Sequence, residues 1–417
     1  MTPVCPRVLV LSSVFPNPQQ PVFGVFIRER SRRVASRCDV AVVAPVPWFP
    51  LNRLIRGTRW SGIPALEAEP GLPPVHHPRV FCIPRYLKCL DGLLYAASLV
   101  PFLVRLRRRF PFDVIDAQFD YPDGVAGVLL ARIFRCPVII TLRGSIVRLA
   151  GYPAHRPQLR WALRAADRVV AVSDSLKRTA MGLGVPGEQI RVISNGVDTT
   201  RFFPMSKVEA RASLQLSPDR TIVLSVGGLN EGKGHHRVIG VLPSLLGRHP
   251  DLLYVIVGGG QPGNTYRPVL ERLIREGGLE RHVLLAGERT HDEIPRWLAA
   301  ADLFCLATRS EGWANVLLES LACGRPVVTT QVGGNAEIIT GEHLGTLVPH
   351  GDDQALAQAV LAALGRTWDP EALATHARRH SWDVTADHVL EELTRLGERG
   401  APRGTAEPLG DSVEGRR

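Results

Sequence analysis

The chain has 417 residues, 45% hydrophobic and 22% charged, enough apolar material for two or three cores, of which two is the simpler reading. Its seven cysteines (Cys5, Cys38, Cys82, Cys89, Cys136, Cys305, Cys323) are odd in number and show no CxxC or Cys/His spacing, which argues against a structural zinc site and for a reducing compartment such as the cytoplasm. Residues 1–200 carry 27 lysines and arginines against 13 acidic residues, a net of +14, whereas residues 201–417 carry 23 against 27; the basic half suits a phosphate-bearing acceptor, an anionic membrane surface or nucleic acid, or is arginine-rich composition alone.

From Met1 the chain passes through Pro6-Arg7 straight into a strand-like run, so no signal peptide is expected. Short β-branched runs then alternate with longer amphipathic stretches, as parallel sheets flanked by helices require. The first half predicts strands at Arg7–Leu11, Val40–Ala44, Val80–Ile83, Val114–Ala117, Val138–Thr141, Arg168–Val172 and Gln189–Ile193, with helices at Val25–Ser36, Gly92–Arg109 and Gln158–Ala166. Asp91 and Pro101 interrupt the most apolar stretch, about Cys89 to Val104, which is short for a bilayer span, so a soluble or peripheral protein is expected. The Arg105-Leu106-Arg107-Arg108-Arg109 cluster closes that stretch. A core helix with favourable cations at its C-terminus accounts for it most simply; a basic apolar helix lying on an anionic membrane is the alternative.

After Ser194-Asn195-Gly196-Val197-Asp198 and Pro204 a second cycle begins, with strands at Thr221–Val226, Leu253–Val257, Val283–Ala286, Leu303–Ala307, Val327–Thr330 and near Thr346–Val348. The expected organisation is an α/β chain with one Rossmann-like domain over 1–198 and a second over 199–380. A helix over 381–397 would pack back on the first domain, and a disordered tail would fill 398–417. Ligands of such sheets bind beyond the carboxyl ends of strands, so two facing domains enclose a cleft.

The segment most able to carry chemistry follows the Leu303–Ala307 run. Glu311 and Gly312 form a turn, an amphipathic helix runs from about Ala314 to Cys323, and Glu319 lies about two turns into it. Eight helical steps are about 12 Å, long for a pair of glycosidase carboxylates, which work across roughly 5–9.5 Å. The spacing better suits two hydroxyl-rich groups with a diphosphate between them on the helix N-terminus.

Two glycine-rich runs lie nearby. Gly227-Gly228-Leu229-Asn230-Glu231-Gly232-Lys233-Gly234 nearly spells an ATPase P-loop, but Gly234 stands where a magnesium-binding Ser or Thr belongs. Gly258-Gly259-Gly260-Gln261-Pro262-Gly263, with Glu288 beyond the next strand, matches a dinucleotide fingerprint, but follows the second strand of its domain where the fingerprint follows the first. A dehydrogenase or a nucleotide-sugar epimerase is thus the competing enzyme class, and a nucleic-acid or membrane scaffold the non-enzymatic one. In the first half, Gly24 precedes the helix Val25-Phe26-Ile27-Arg28-Glu29, either to let backbone approach a phosphate or as a plain loop glycine.

The run from Glu311 to Glu319, continuing through Gly324-Arg325-Pro326-Val327-Val328 and Val332-Gly333-Gly334-Asn335-Ala336-Glu337-Ile338-Ile339, resembles the retaining glycosyltransferases of family four. So do Ala171-Val172-Ser173-Asp174-Ser175-Leu176 and Ile193–Asp198. The resemblance covers roughly residues 7–395. It implies a GT-B fold, two Rossmann-like domains across a cleft, and metal-independent, retaining transfer of a sugar from a nucleotide-diphosphate donor, UDP- or GDP-linked. The acceptor would be a saccharide or lipid-linked saccharide of cell-surface assembly, at the inner face of the membrane, with no nucleic acid partner. Glu311 would contact the donor sugar, Glu319 the ribose, and Lys233 the leaving diphosphate, with backbone after Gly312, at Ala314 and Asn315, beside it. Gly24, Gly228 and Gly258 would line the donor, with Glu288 and Arg289 near the base. Many members carry Arg where this chain has Gly228, and His where it has Arg143. A permanent cation at Arg143 would bind an anionic acceptor or carboxylated sugar, or pair with a neighbouring acid.

Overall fold

The computed structural model describes residues 5–50, 62–84, 86–260 and 266–400. The expected tail lies outside them from residue 401, as do Gln261, Pro262 and Gly263 of the second glycine run. Strands of the first half are β1 (Val8–Leu11), β2 (Val40–Val43), β3 (Val46–Trp48), β4 (Leu66–Glu67), β5 (Val75–His76), β6 (Arg79–Phe81), β7 (Val114–Ala117), β8 (Val138–Leu142), β9 (Arg168–Ala171) and β10 (Ile190–Val192). Those of the second are β11 (Ile222–Val226), β12 (Leu253–Val257), β13 (Val283–Gly287), β14 (Leu303–Leu306), β15 (Val327–Thr330) and β16 (Gly345–Val348).

Runs such as Val-Leu-Val-Leu in β1 and Val-Ala-Val-Val in β2 are apolar at every position because helices cover both sheet faces, and every residue of both is buried. The first sheet has the order β10-β9-β8-β7-β1-β2-β5-β4, parallel except for the edge strand β4. The second is parallel throughout, in the order β13-β12-β11-β14-β15-β16. Both are doubly wound about their first strand, so each has a point where the connections reverse and the loops part: between β1 and β7, and between β11 and β14. Ser13, just after β1, donates its backbone N–H to the buried Asp123 carboxylate beyond β7 at 3.0 Å, which fixes the first of these openings.

Several expectations need correction. The Val80–Ile83 strand is Arg79–Phe81, and pairs with β3 in a separate two-stranded sheet. Cys5 and Cys38 are bonded as a disulfide, their Cα atoms 5.3 Å apart, within the ordinary range for such a bond; sequence spacing gave no sign of this pair. The final helix, Trp382–Gly400, outlasts the expected end at residue 397. Its Val389 and Leu393 are buried in the same cluster as Val8, Val10 and Ile27.

The Asp91–Arg107 helix differs most from its simplest reading. Gly92, Tyr95, Ala96, Leu99, Leu103 and Leu106 are buried, while Leu93, Ala97, Pro101 and Val104 on the opposite side are exposed. It is a surface helix, apolar on both faces. Residues 88–107 are long and apolar enough to cross a membrane by length and composition, and 28% of the most apolar window is buried against the protein.

Candidate active site

The cleft floor is built where the loops after β11, β12 and β14 meet, and small residues allow the contact. A Cβ at Gly258 would stand 1.9 Å from the Gly227 carbonyl, and one at Gly234 1.9 Å from that of Ala307. Gly234 has φ +73° as well, so the Ser or Thr of a P-loop fits neither the backbone nor the space. The loops are also stitched together: the Arg309 N–H and the Thr308 hydroxyl both donate to the Gly232 carbonyl, at 2.8 and 3.0 Å.

Lys233 and Glu311, 78 residues apart, are brought into a direct ion pair of 2.6 Å. The same carboxylate oxygen accepts the Thr308 hydroxyl at 3.1 Å. Lys233 ends a short turn whose first N–H groups are ordered by Asn230; the Asn230 side chain accepts from the Lys233 N–H at 3.2 Å. Gly333, at φ +51°, lies directly over the Glu311 carbonyl, where a Cβ would come within 1.7 Å. Glu311 and Lys233 both stand out in the sequence, but nothing in their spacing shows that they touch.

The helix after this turn spans Asn315–Ala322 and starts with no side-chain cap; Ala314 is its N-cap and Gly312 precedes it. Its first N–H groups are therefore left without a side-chain acceptor, and Asn315 at its start lines the cavity over this floor. Glu319 lies on the same helix, and its carboxylate is 3.2 Å from His291 Nε2, while His291 Nδ1 is 2.6 Å from an Arg201 guanidinium nitrogen. A guanidinium only donates, so Nδ1 accepts and Nε2 carries the proton directed at Glu319. Neither His291 nor Arg201 was singled out in the sequence; nothing in their spacing announces the relay.

A cavity of about 380 Å³ opens on this floor. Gly228, Gly258, Glu288, Arg289, Asn315 and Glu319 line it from the second unit, and Val22, Phe26 and Glu29 from the first. Arg289 also stacks on Trp297, 5.7 Å from the ring centroid. Gly24 is not among the lining residues: it is buried against the Val14 carbonyl, and its neighbours supply the wall. A Cβ at Gly228 would meet the Asn230 side chain at 3.5 Å and the Gly259 carbonyl at 3.7 Å, both ordinary contacts; Arg289 brings a cation to the cavity lining. Burial beneath the Gly227-Gly228 loop holds His235 down at about 4, so it adds no positive charge there.

Arg143 is committed internally. It donates to the Gln118 carbonyl and side chain at 3.1 and 2.6 Å and to Asn195 at 2.9 Å, and stacks over Phe26. It pairs with no carboxylate among the described residues; burial and the nearby Arg30 guanidinium lower its pKa, with Asp116 opposing. Asn195 in turn donates to the Asn315 side chain at 3.1 Å. A polar chain thus links the first unit to the start of the Asn315–Ala322 helix. Gly144 and Gly312 meet backbone to backbone beside it. Glu337 completes the junction, accepting from the N–H groups of Asp174 and Ser175 at 2.8 and 3.1 Å.

The sequence matches two family models end to end: Glycosyltransferase Family 4 over residues 23–201, and Glycosyl transferases group 1 over residues 206–380. It is 30% identical over 376 residues to a protein named for teichuronic acid biosynthesis, a glycosyltransferase of Bacillus subtilis (strain 168), covering 88% of this chain and 91% of that one. It is 33% identical over 423 residues to a D-inositol 3-phosphate glycosyltransferase of Acidothermus cellulolyticus, covering 93% and 90%. Among solved structures, sucrose-phosphate synthase from Thermosynechococcus elongatus superposes with a TM-score of 0.77 at 20% identity, over 94% of this chain and 100% of that one. The HepE protein of Anabaena in complex with UDP and glucose gives 0.71 at 23% identity, over 94% and 100%. The chain is a glycosyltransferase, a member of the group 1, family 4 enzymes with the GT-B fold of two Rossmann-like units.

Proposed function

We propose that this enzyme transfers a sugar, with retention of anomeric configuration and without a metal, from a UDP- or GDP-linked donor to a hydroxyl of a saccharide or lipid-linked saccharide in cell-surface polymer assembly. The observation that carries the reading is the Lys233–Glu311 pair beside an uncapped helix N-terminus, with Glu319 further along the same helix. A diphosphate seated on the helix N–H groups takes Lys233 as its counter-ion. That frees Glu311 to face the sugar as its reacting carbon gains positive character. Glu319, oriented by His291, accepts the ribose diol, and Glu288 and Arg289 flank the base. Donors fixed in advance at the leaving phosphate stabilise the charge that develops there and lower the barrier. A phosphate oxygen then receives the acceptor proton on the face the sugar is entered from. Relatives named for teichuronic acid and for lipopolysaccharide core biosynthesis support a cell-surface acceptor.

Glu311→Ala is expected to lower kcat by roughly 10²-fold or more, and Glu319→Ala to act mainly on the donor KM. Both are read with a competent donor and acceptor, and the product anomer is read by NMR. An inverted anomer, or full activity in both variants, contradicts the reading.

A further inference from the structure

The outer face of the Asp91–Arg107 helix has no role in the donor site. Leu90, Leu93, Ala97, Pro101 and Val104 recur at intervals of three and four and are all exposed, Leu93 at 57%. They form a stripe about 20 Å long on the side away from the core. No charged residue lies between Asp91 and Arg105. A helix on a water-facing surface ordinarily turns polar residues outward; this one does the reverse. Tyr86 and Leu87, 74% and 57% exposed, extend the stripe at its start, and Trp48 and Phe81, paired across β3 and β6, lie exposed beside it. At its far end Arg105, Arg108 and Arg109 are exposed and have no carboxylate partner among the described residues.

We propose that this face seats the enzyme on an anionic lipid bilayer, the apolar stripe entering the headgroup boundary and the three arginines meeting lipid phosphates. Charge decides between lipid and a second copy of this chain. The stripe's one acid, Asp91, is held by Lys88 at 3.1 Å, so a second copy of this face offers no anion to the arginines, whereas an anionic membrane does. The position is also suited to the transfer reading, on which the acceptor part of this proposal rests. A cavity of about 290 Å³ lined by Phe49, Phe81, Lys88, Tyr95, Pro122 and Ser13 opens at the start of the helix. Ser13 begins the loop that gives Val22 to the donor cavity. One loop therefore borders both the cavity at the bilayer end and the donor cavity, which places a lipid-carried acceptor on the donor's side of the molecule.

The test is flotation of the full chain with vesicles of phosphatidylcholine alone or with about 30% phosphatidylglycerol, at about 0.1 M salt. The wild type should float with the anionic vesicles and be released by high salt. Leu87→Glu/Leu93→Glu should reduce the bound fraction by roughly tenfold, and Arg105→Gln/Arg108→Gln/Arg109→Gln should remove its dependence on anionic lipid. All these positions are exposed, and an unchanged melting temperature with an unchanged shift on adding UDP or GDP reports the fold and donor site separately. Flotation without any nucleotide shift would fail the donor reading and leave the docking intact. A wild type that stays unbound, variants that float equally, or a dimer that Leu87→Glu/Leu93→Glu splits without vesicle binding would overturn the docking.

Discussion

Glu311 and Glu319 stand on one short segment and are held by opposite means. Glu311 is tied to a cation that the diphosphate would claim, whereas Glu319 is held by a ring N–H fixed through Arg201. The first arrangement changes when a donor arrives and the second persists, which agrees with a reacting role for one and a binding role for the other. The position of Glu311 depends on Gly333. Alanine there meets both a left-handed backbone and the Glu311 carbonyl at 1.7 Å, and a left-handed non-glycine residue alone costs about 1–2 kcal/mol. Gly333→Ala is therefore expected to lower stability in denaturant by at least that much and to depress kcat beyond what the unfolded fraction explains. A wild-type rate in the folded variant would show that Glu311 is placed by other contacts.

At the scale of elements, the strands were legible because burial on both faces leaves uninterrupted β-branched runs, as in β1, β2 and β8. Two-residue β4 and β5 were missed, being too short for any period to show. Glu311, Glu319 and Lys233 could be found because each sits at a strand end or glycine turn. The contacts that fix this region could not: His291 lies 28 residues from Glu319, Asn195 lies 120 from Asn315, and Glu337 lies 163 from Asp174. Those distances close only when the sheets are folded and the units meet. Glu337 illustrates this, since it caps the Asp174–Gly182 helix of the opposite unit. Glu337→Gln keeps the shape and removes the charge that favours a helix N-terminus, an effect of about 0.3–1 kcal/mol. We expect a raised donor KM with kcat little changed, measured by steady-state kinetics. A fall in kcat alone would place Glu337 in the chemical step.

For the whole molecule, the first opening is closed by two buried aspartates whose ionisation opposes folding. Burial raises Asp123 to about 7 and Asp120 to about 6, the former also through repulsion from the latter. A carboxylate with a raised pKa in the folded state gives stability that is complete below its ordinary range and is lost as pH rises through the raised value. His235 acts oppositely: held at about 4, it adds stability as pH rises toward the usual imidazole range. Above about pH 6.5 that gain is complete and the aspartates dominate, so the melting temperature should fall between about pH 6.5 and 8. Asp123→Asn should flatten the fall, because its side chain still accepts from Ser13 and cannot ionise. An equal slope in the variant would assign the pH dependence elsewhere.

On the proposed function, the cleft between the two units holds a nucleoside diphosphate between Lys233, the Asn315–Ala322 helix and Glu319. Calorimetric titration of the wild type, Lys233→Ala and Glu319→Ala with UDP and GDP tests it most directly. The wild type should bind at least one nucleotide saturably, and each variant should lose roughly tenfold or more in affinity. No binding of either nucleotide at millimolar concentration, or equal affinity in all three proteins, would contradict it.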